Sequence, residues 1–177
     1  MNLTIKTSVG NIILRPMSIK DISYQLDYLY NSPKDFLERI GFDTSKLPGR
    51  ELHEVGIKKR LKERSKKPQS VVAELHDGVI AIVNLQLVEE PKAHFHILQD
   101  SLRGKNLGKP ILTNALKILM NEHSLKELLI EPKIDNSAMN KLLKKCQFEY
   151  LGETTFSGTA TYDFKASSYR VSLESLN

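Results

Sequence analysis

Two histidines stand two residues apart in "AHFHIL" (residues 93–98), six residues before the glycine-containing stretch "LRGKNLGKPIL" (102–112). Histidine titrates near neutrality and is suited to taking a proton from an amine or relaying one through water. On an extended strand His94 and His96 share one face, with Phe95 on the other. Arg103, Lys105 and Lys109 gather positive charge about Gly104 and Gly108, immediately ahead of a helical pattern. The first amides of a helix have no intrahelical acceptor, and the helix dipole adds partial positive charge, so an anion is favoured there. Proton transfer beside an anion cradle is the chemistry these residues suggest.

Two better-known phosphate loops do not fit. "GKN" and "GKP" lack the Ser or Thr that a Walker loop needs after Gly-Lys, and the dinucleotide fingerprint G-x-G-x-x-G is not formed. Cys146 is the only cysteine, so neither an internal disulfide nor a thiolate metal cluster can form, and no metal is expected. It reads as a small apolar residue rather than a nucleophile.

These residues need elements to hold them. "IILRPM" (12–17) reads as a first strand, and Ser18 with Asp21 as the cap of a helix beginning near Ile19. Residues 32–66 are helical in character, broken by a loop at "GFDTSKLPGR". "SVVAELHDGVIAIVNLQLV" (70–88) reads as two strands turning at Asp77-Gly78, followed by the histidine strand at 93–98. Leu107, Ile111, Leu112, Ala115, Leu116 and Leu119 recur at helical spacing, and Pro110 falls in the first turn, where a missing N–H costs little. A strand over 125–134, a short helix from Asp135 or Asn136, and a closing antiparallel pair complete an α/β sheet of mixed direction.

The chain of 177 residues is long enough for a single domain, taken as 1–177, with one full core. Its apolar runs are far shorter than a membrane span needs, and "MNLTIKTSVG" has no signal-peptide core, so a cytoplasmic protein without a membrane partner is expected. Net charge is +5, and "KKRLKERSKKP" (58–68) holds seven basic residues. That run has no interleaved aromatics to stack on bases, so it reads as a solvated helix face and not as a nucleic-acid surface.

The loop Arg103, Gly104, Lys105, Asn106, Leu107, Gly108 resembles the acyl-coenzyme A motif of the GNAT acyltransferase superfamily, with Asn106 where that family usually has its first glycine. "LRPMSIKDI" looks like the family's opening strand and helix. "NSAMNKLLKKCQFEYLGE" (136–152) is similar to its second cofactor motif: Asn136 and Phe148 match, and Gln147 replaces a glycine.

The resemblance implies a mixed, twisted sheet flanked by helices and splayed for acyl-CoA. It also implies acetyl-CoA as cosubstrate, with direct transfer to a primary amine of a small molecule or protein. By the same resemblance the amides of Arg103 to Lys109 cradle the pyrophosphate, Ile97 and Leu98 hold the pantetheine by backbone hydrogen bonds, and Asn136 bonds the cofactor from across the cleft. His94 and His96 are then the candidate proton carriers, with Glu74 a weaker candidate. The family's usual tyrosine acid corresponds to Leu143, an absence shared with ribosomal-protein-acetyltransferase-like members, which leaves water, Tyr150 or Tyr162 to protonate the thiolate. A homodimer is the family's suggestion. The alternatives are a silent acyl-CoA-binding module or a ribosome- or nucleic-acid-associated basic protein.

Overall fold

A computed structural model describes residues 2–63, 67–76, 78–157 and 163–176. Its centre is one eight-stranded sheet in the order β1-β2-β3-β4-β5-β6-β8-β7. In chain order the strands are β1 (Leu3–Thr7), β2 (Gly10–Pro16), β3 (Ser70–Leu75), β4 (Gly78–Gln86), β5 (Lys92–Ile97), β6 (Glu127–Ile130), β7 (Glu149–Phe156) and β8 (Phe164–Ser172). The helices are α1 (Ile22–Asn31), α2 (Lys34–Arg39), α3 (Arg50–Glu63), α4 (Gly108–Glu122) and α5 (Ser137–Lys145).

The periodicity of the chain places most of these elements, with two differences. An edge strand, β1, precedes the first strand read from sequence and pairs with it through Thr7↔Gly10. Its residues are exposed or half-buried, so it carries no apolar alternation to reveal it. The expected strand over 125–134 has regular pairing over only four residues, Glu127–Ile130; past Glu131 the chain keeps an isolated bridge to β8, Lys133↔Ala166, flanked by bonds from Ser167 N to Pro132 O and from Ile134 N to Lys165 O at 3.0 Å each. The Asp77 turn position and residues 64–66 of the basic run lie outside the described residues.

Amphipathic α4 lays Ile111, Leu112, Ala115, Leu116 and Leu119 on one face of the sheet, against Ile12, Leu14, Val71, Ala73 and Val83. On the other face α1 and α3 bring Ile22, Leu26 and Ile57 onto Val72, Val79 and Ile82. The entry to α1 is fixed by charge. Asp21, 2% exposed, accepts two hydrogen bonds from Arg15 (2.7 Å each) and two from the backbone and hydroxyl of Ser18 (2.7 Å each). Arg15 also reaches Glu74 at 2.6 Å, so β2, β3 and the start of α1 share one ion cluster. Glu74 is thereby a structural partner, which explains a carboxylate on that strand without a catalytic role.

Neighbouring strands run antiparallel except β5 and β6, which are joined by α4 and run parallel. That pair touches at a single register position, Lys92↔Leu129, with the Leu129 amide donating to Pro91 O at 2.8 Å. Beyond it the two strands separate, and the sheet opens into a cleft.

Candidate active site

The cleft measures about 1440 Å³ and is lined from both sides of the split between β5 and β6. Of the twelve site residues expected from sequence, ten line it: His94, His96, Ile97, Arg103, Gly104, Asn106, Leu107, Gly108, Lys109 and Asn136. Leu98 and Lys105 do not.

Leu98 is turned away for a reason that the strand ladder makes plain. Its amide donates to Ile80 O at 2.8 Å, and its side chain packs beside Tyr28, Leu29 and Ile82. Backbone groups along a strand alternate sides, so His94, His96 and Leu98 direct theirs at β4 while Phe95 and Ile97 direct theirs at the opening. The Ile97 carbonyl is met there by Arg103 Nη2 at 3.2 Å. Phe95, absent from the sequence-based set, therefore offers the cleft-facing backbone that had been assigned to Leu98.

The loop before α4 departs from a uniform amide cradle. The Arg103 amide bonds Asp100 O (3.0 Å) and the Lys105 amide bonds Leu102 O (3.4 Å), so both are used inside the turn. The Lys105 side chain is exposed. Gly108 and Lys109 open the helix, and the first intrahelical bond runs from Ile111 N to Leu107 O at 3.1 Å. Pro110 has no N–H, so of the four amides that usually lack an intrahelical acceptor at a helix start three remain as donors. No side chain caps this end.

Gly104 (φ 77°) and Asn106 (φ 59°) are both left-handed. Asparagine tolerates that conformation better than most residues, so the backbone shape survives the missing glycine. Gln147 does the same at the end of α5, at φ 62°, again in the glycine position of the motif.

The Arg103 side chain serves the loop and not the cradle. It pairs with Asp100 (2.6 Å) and lies 4.2 Å over the Phe36 ring, pinning the loop to α2. Across the opening, Asn136 caps α5 by accepting from Met139 N (3.2 Å) and lines the cleft. Lys109 and Lys145, together with Lys141, line the same end and add positive charge to it.

His94 and His96 lie on the α1 and α3 face, opposite Asn84 and Ile82 of β4 respectively, and Phe95 joins the α4 side of the core. Burial pushes the His94 imidazole below its usual range, with Lys92 adding to the shift and Glu131 opposing it. His96 is pushed down to about 3, chiefly by burial, with the neighbouring His94 and Arg103 contributing. Both rings are neutral at pH 7. His96 Nδ1 lies 3.3 Å from the Tyr28 hydroxyl, whose own ionisation burial suppresses. His96 is thus too weak a base to hold a proton near neutrality and faces Tyr28, whereas His94 lies 3.4 Å from Gln86 Oε1.

Sequence reasoning missed the group beside His94. Glu131 lies just past β6, its side chain 6% exposed, 2.6 Å from Lys92 Nζ at the point where the strands part. Lys92 in turn lies 5.4 Å over the Phe156 ring, whose edge meets His94 at 6.0 Å. Residues 92, 131 and 156 show no motif; only the parallel pairing of β5 with β6 assembles them.

Leu143 is fully buried under α5, and Cys146 beside it has its thiol pushed up by burial. Neither can act in the cleft. Tyr150 is exposed on the edge strand β7 against Tyr169, away from the cleft lining, and Tyr162 lies outside the described residues. Within α3, Lys58 and Lys59 pair with Glu54 and Glu63. No helix among the described residues is long and apolar enough to cross a membrane.

Residues 11–149 match the family model described as an acetyltransferase (GNAT) domain, and the chain belongs to that family. No curated protein sequence matches it. Solved structures share its fold at low identity. Mycobacterium smegmatis RimJ, in complex with CoA-disulfide, is 13% identical at a TM-score of 0.75, covering 98% of this chain and 87% of that one. The ribosomal-protein-S5-alanine acetyltransferase of Vibrio fischeri is 10% identical at a TM-score of 0.72, covering 99% of each chain. The aminoglycoside acetyltransferase AAC(6')-Ib, in complex with coenzyme A and kanamycin, is 15% identical at a TM-score of 0.67, covering 93% of this chain and 96% of that one.

Proposed function

We propose that this member of the GNAT acetyltransferase family moves an acetyl group from acetyl-CoA to a primary amine by direct transfer in a ternary complex. The observation that carries the reading is the separation of β5 from β6 beyond Lys92↔Leu129, which opens one cleft lined both by His94 and by the start of α4. The cleft suits the cosubstrate: Gly108 and Lys109 amides with the Lys109, Lys141 and Lys145 side chains for its phosphates, and the open backbone edge of Phe95 and Ile97 for its amide-bearing arm. Acetyl-CoA supplies an activated thioester; the protein's part is to place an amine against it and to manage one proton in each direction.

A primary amine is mostly protonated at neutral pH and cannot attack until that proton leaves. His94, neutral at pH 7, takes it directly or through a water. The amine nitrogen then forms its bond to the thioester carbon as the carbon–sulfur bond breaks, and the proton the nitrogen sheds in becoming an amide is relayed by water to the departing sulfur, since Leu143 has none to give. His96 acts as a positioning residue, holding β5 to α1 through Tyr28. The test is release of free thiol from acetyl-CoA with a panel of amines. His94→Ala should lower turnover at least 100-fold with coenzyme A affinity retained, and coenzyme A binding without thiol release on any amine would instead support a silent binding module.

A further inference from the structure

The two histidines are walled by aromatic rings brought from separate parts of the chain. Tyr28 of α1 and Phe42, which follows α2, lie 5.5 and 5.6 Å from the His96 ring. Phe156 at the end of β7 meets His94 edge-on and stacks on Phe164 of β8 at 5.1 Å. The two groups of rings are locked together at Gly41. It has φ 104°, and a Cβ there would come within 2.8 Å of the Phe164 ring, so the turn carrying Phe42 is pressed against the end of β8. Together the rings form a chamber over the histidines, on the side of the cleft away from α4.

The charges in this chamber are equally telling. Among the described residues lining the cleft only two are carboxylates, Glu131 and Glu122. The charge of Glu131 is already balanced by Lys92 at 2.6 Å. Glu122 belongs to α4, which packs on the opposite face of the sheet from the histidines. A guanidinium, that of Arg103, borders the chamber over Phe36. One ammonium can rest against aromatic faces. A second would lose its water with no unbalanced carboxylate to receive it, which is costly.

Resting on the acetyltransferase reading, we infer that the acceptor is a primary amine carried on an aromatic or branched apolar body with no second positive charge. A polycationic acceptor is disfavoured by the same inventory of side chains. Specificity lies in Phe42 and Phe156 and in the matched pair Lys92–Glu131, not in the histidines.

The experiment compares 2-phenylethylamine and isoamylamine with putrescine and spermidine, by calorimetric binding to the full chain saturated with coenzyme A and by thiol release from acetyl-CoA. The apolar amines should bind at least tenfold more tightly than the diamine and polyamine. Phe42→Glu places an unbalanced carboxylate in the chamber at a half-buried position. It should narrow or reverse that ratio by tenfold or more, with unchanged coenzyme A affinity reporting an intact fold. Equal or tighter binding of putrescine or spermidine by the unaltered protein overturns the inference, as does failure of both apolar amines to bind. Binding of the apolar amines with no thiol released from any amine sinks the acetyltransferase reading and leaves the binding preference standing.

Discussion

The side-chain carbonyl of Asn106 accepts a hydrogen bond from Lys145 Nζ at 3.2 Å, tying the loop that opens α4 to the last turn of α5. Lys109 reinforces the tie by donating to Lys145 O at 3.3 Å. Asn106 therefore keeps a left-handed backbone and adds a tether across the lysine-lined end of the cleft. Asn106→Gly should leave the melting temperature within a few degrees while loosening that tether. Asn106→Val, β-branched at φ 59°, should cost about 1–2 kcal/mol, seen as a lower denaturation midpoint at constant slope. Equal stability of the two variants would show that the left-handed turn is not fixed in solution.

The acid limb of kcat/KM should report His94. Because burial lowers its pKa, the neutral base persists below pH 6.5, and activity is lost only as the pH falls through that lowered value. Lys92→Met removes a cation that lowers it and leaves Glu131 unbalanced, so the limb should move to higher pH. Glu131→Gln should move it to lower pH. A limb unmoved by either change would place the titrating group elsewhere.

A tyrosine placed at position 143 should not raise activity. Leu143 is fully buried beneath α5, and a larger, hydroxyl-bearing ring there overpacks the core. Leu143→Tyr should destabilise the protein by about 1–3 kcal/mol in chemical denaturation. Thiol release should not rise; a gain in turnover would mean that α5 can turn this position toward the cleft.

Gly108 is tight against α5 and not against the cradle. A Cβ there would lie 3.0 Å from Leu142 Cδ2, so Gly108→Trp must push α4 and α5 apart. Coenzyme A affinity should fall at least tenfold, through displacement of Asn136 and Lys145 as much as through obstruction of the loop. Titration of coenzyme A by calorimetry checks this, and unchanged affinity would remove the helix start from the site.

The cluster of Arg15 with Asp21 and Glu74 should dominate acid sensitivity. Burial alone would raise the Asp21 pKa, but the hydrogen bonds from Arg15 and Ser18 outweigh it and leave it lowered. Its stabilising contribution is then present above the unfolded value, about pH 3.9, and lost as pH falls through the folded one. Asp21→Asn should cost about 1.5–3 kcal/mol at pH 7, because the largely buried Arg15 loses one of its two carboxylate partners and keeps only Glu74. The loss should shrink on acidification, measured as denaturation midpoints from pH 7 to pH 3.

Local pattern made most of the elements legible. The apolar spacing of α4, the Ser18 and Asp21 entry to α1 and the strand at 93–98 are written in contiguous residues, whose periods of 3.6 and 2 need no distant partner to be read. The loop over 103–108 and the cap at Asn136 are likewise local, because a helix start is defined by the backbone that enters it. What the sequence left open were features with no local period: the exposed edge strand β1, the early end of β6, and which of two adjacent residues, Ile97 or Leu98, turns its backbone to the cleft. That last choice depends on the register of β5 against β4, which the Leu98–Ile80 hydrogen bond decides.

The chamber is wholly a tertiary product. Phe42, Phe156, Phe164, Lys92 and Glu131 come from five stretches of chain and share no spacing. They meet because β6 follows α4 back to lie parallel to β5, because β8 enters between β6 and β7, and because Gly41 alone lets the turn after α2 close on Phe164. By itself the sequence determined a pair of histidines ahead of an anion-favouring helix start, since residue type and local backbone suffice for both. Only the folded sheet decided that both histidines are weakened as bases, since burial and neighbouring charge, unlike spacing, belong to the assembled structure.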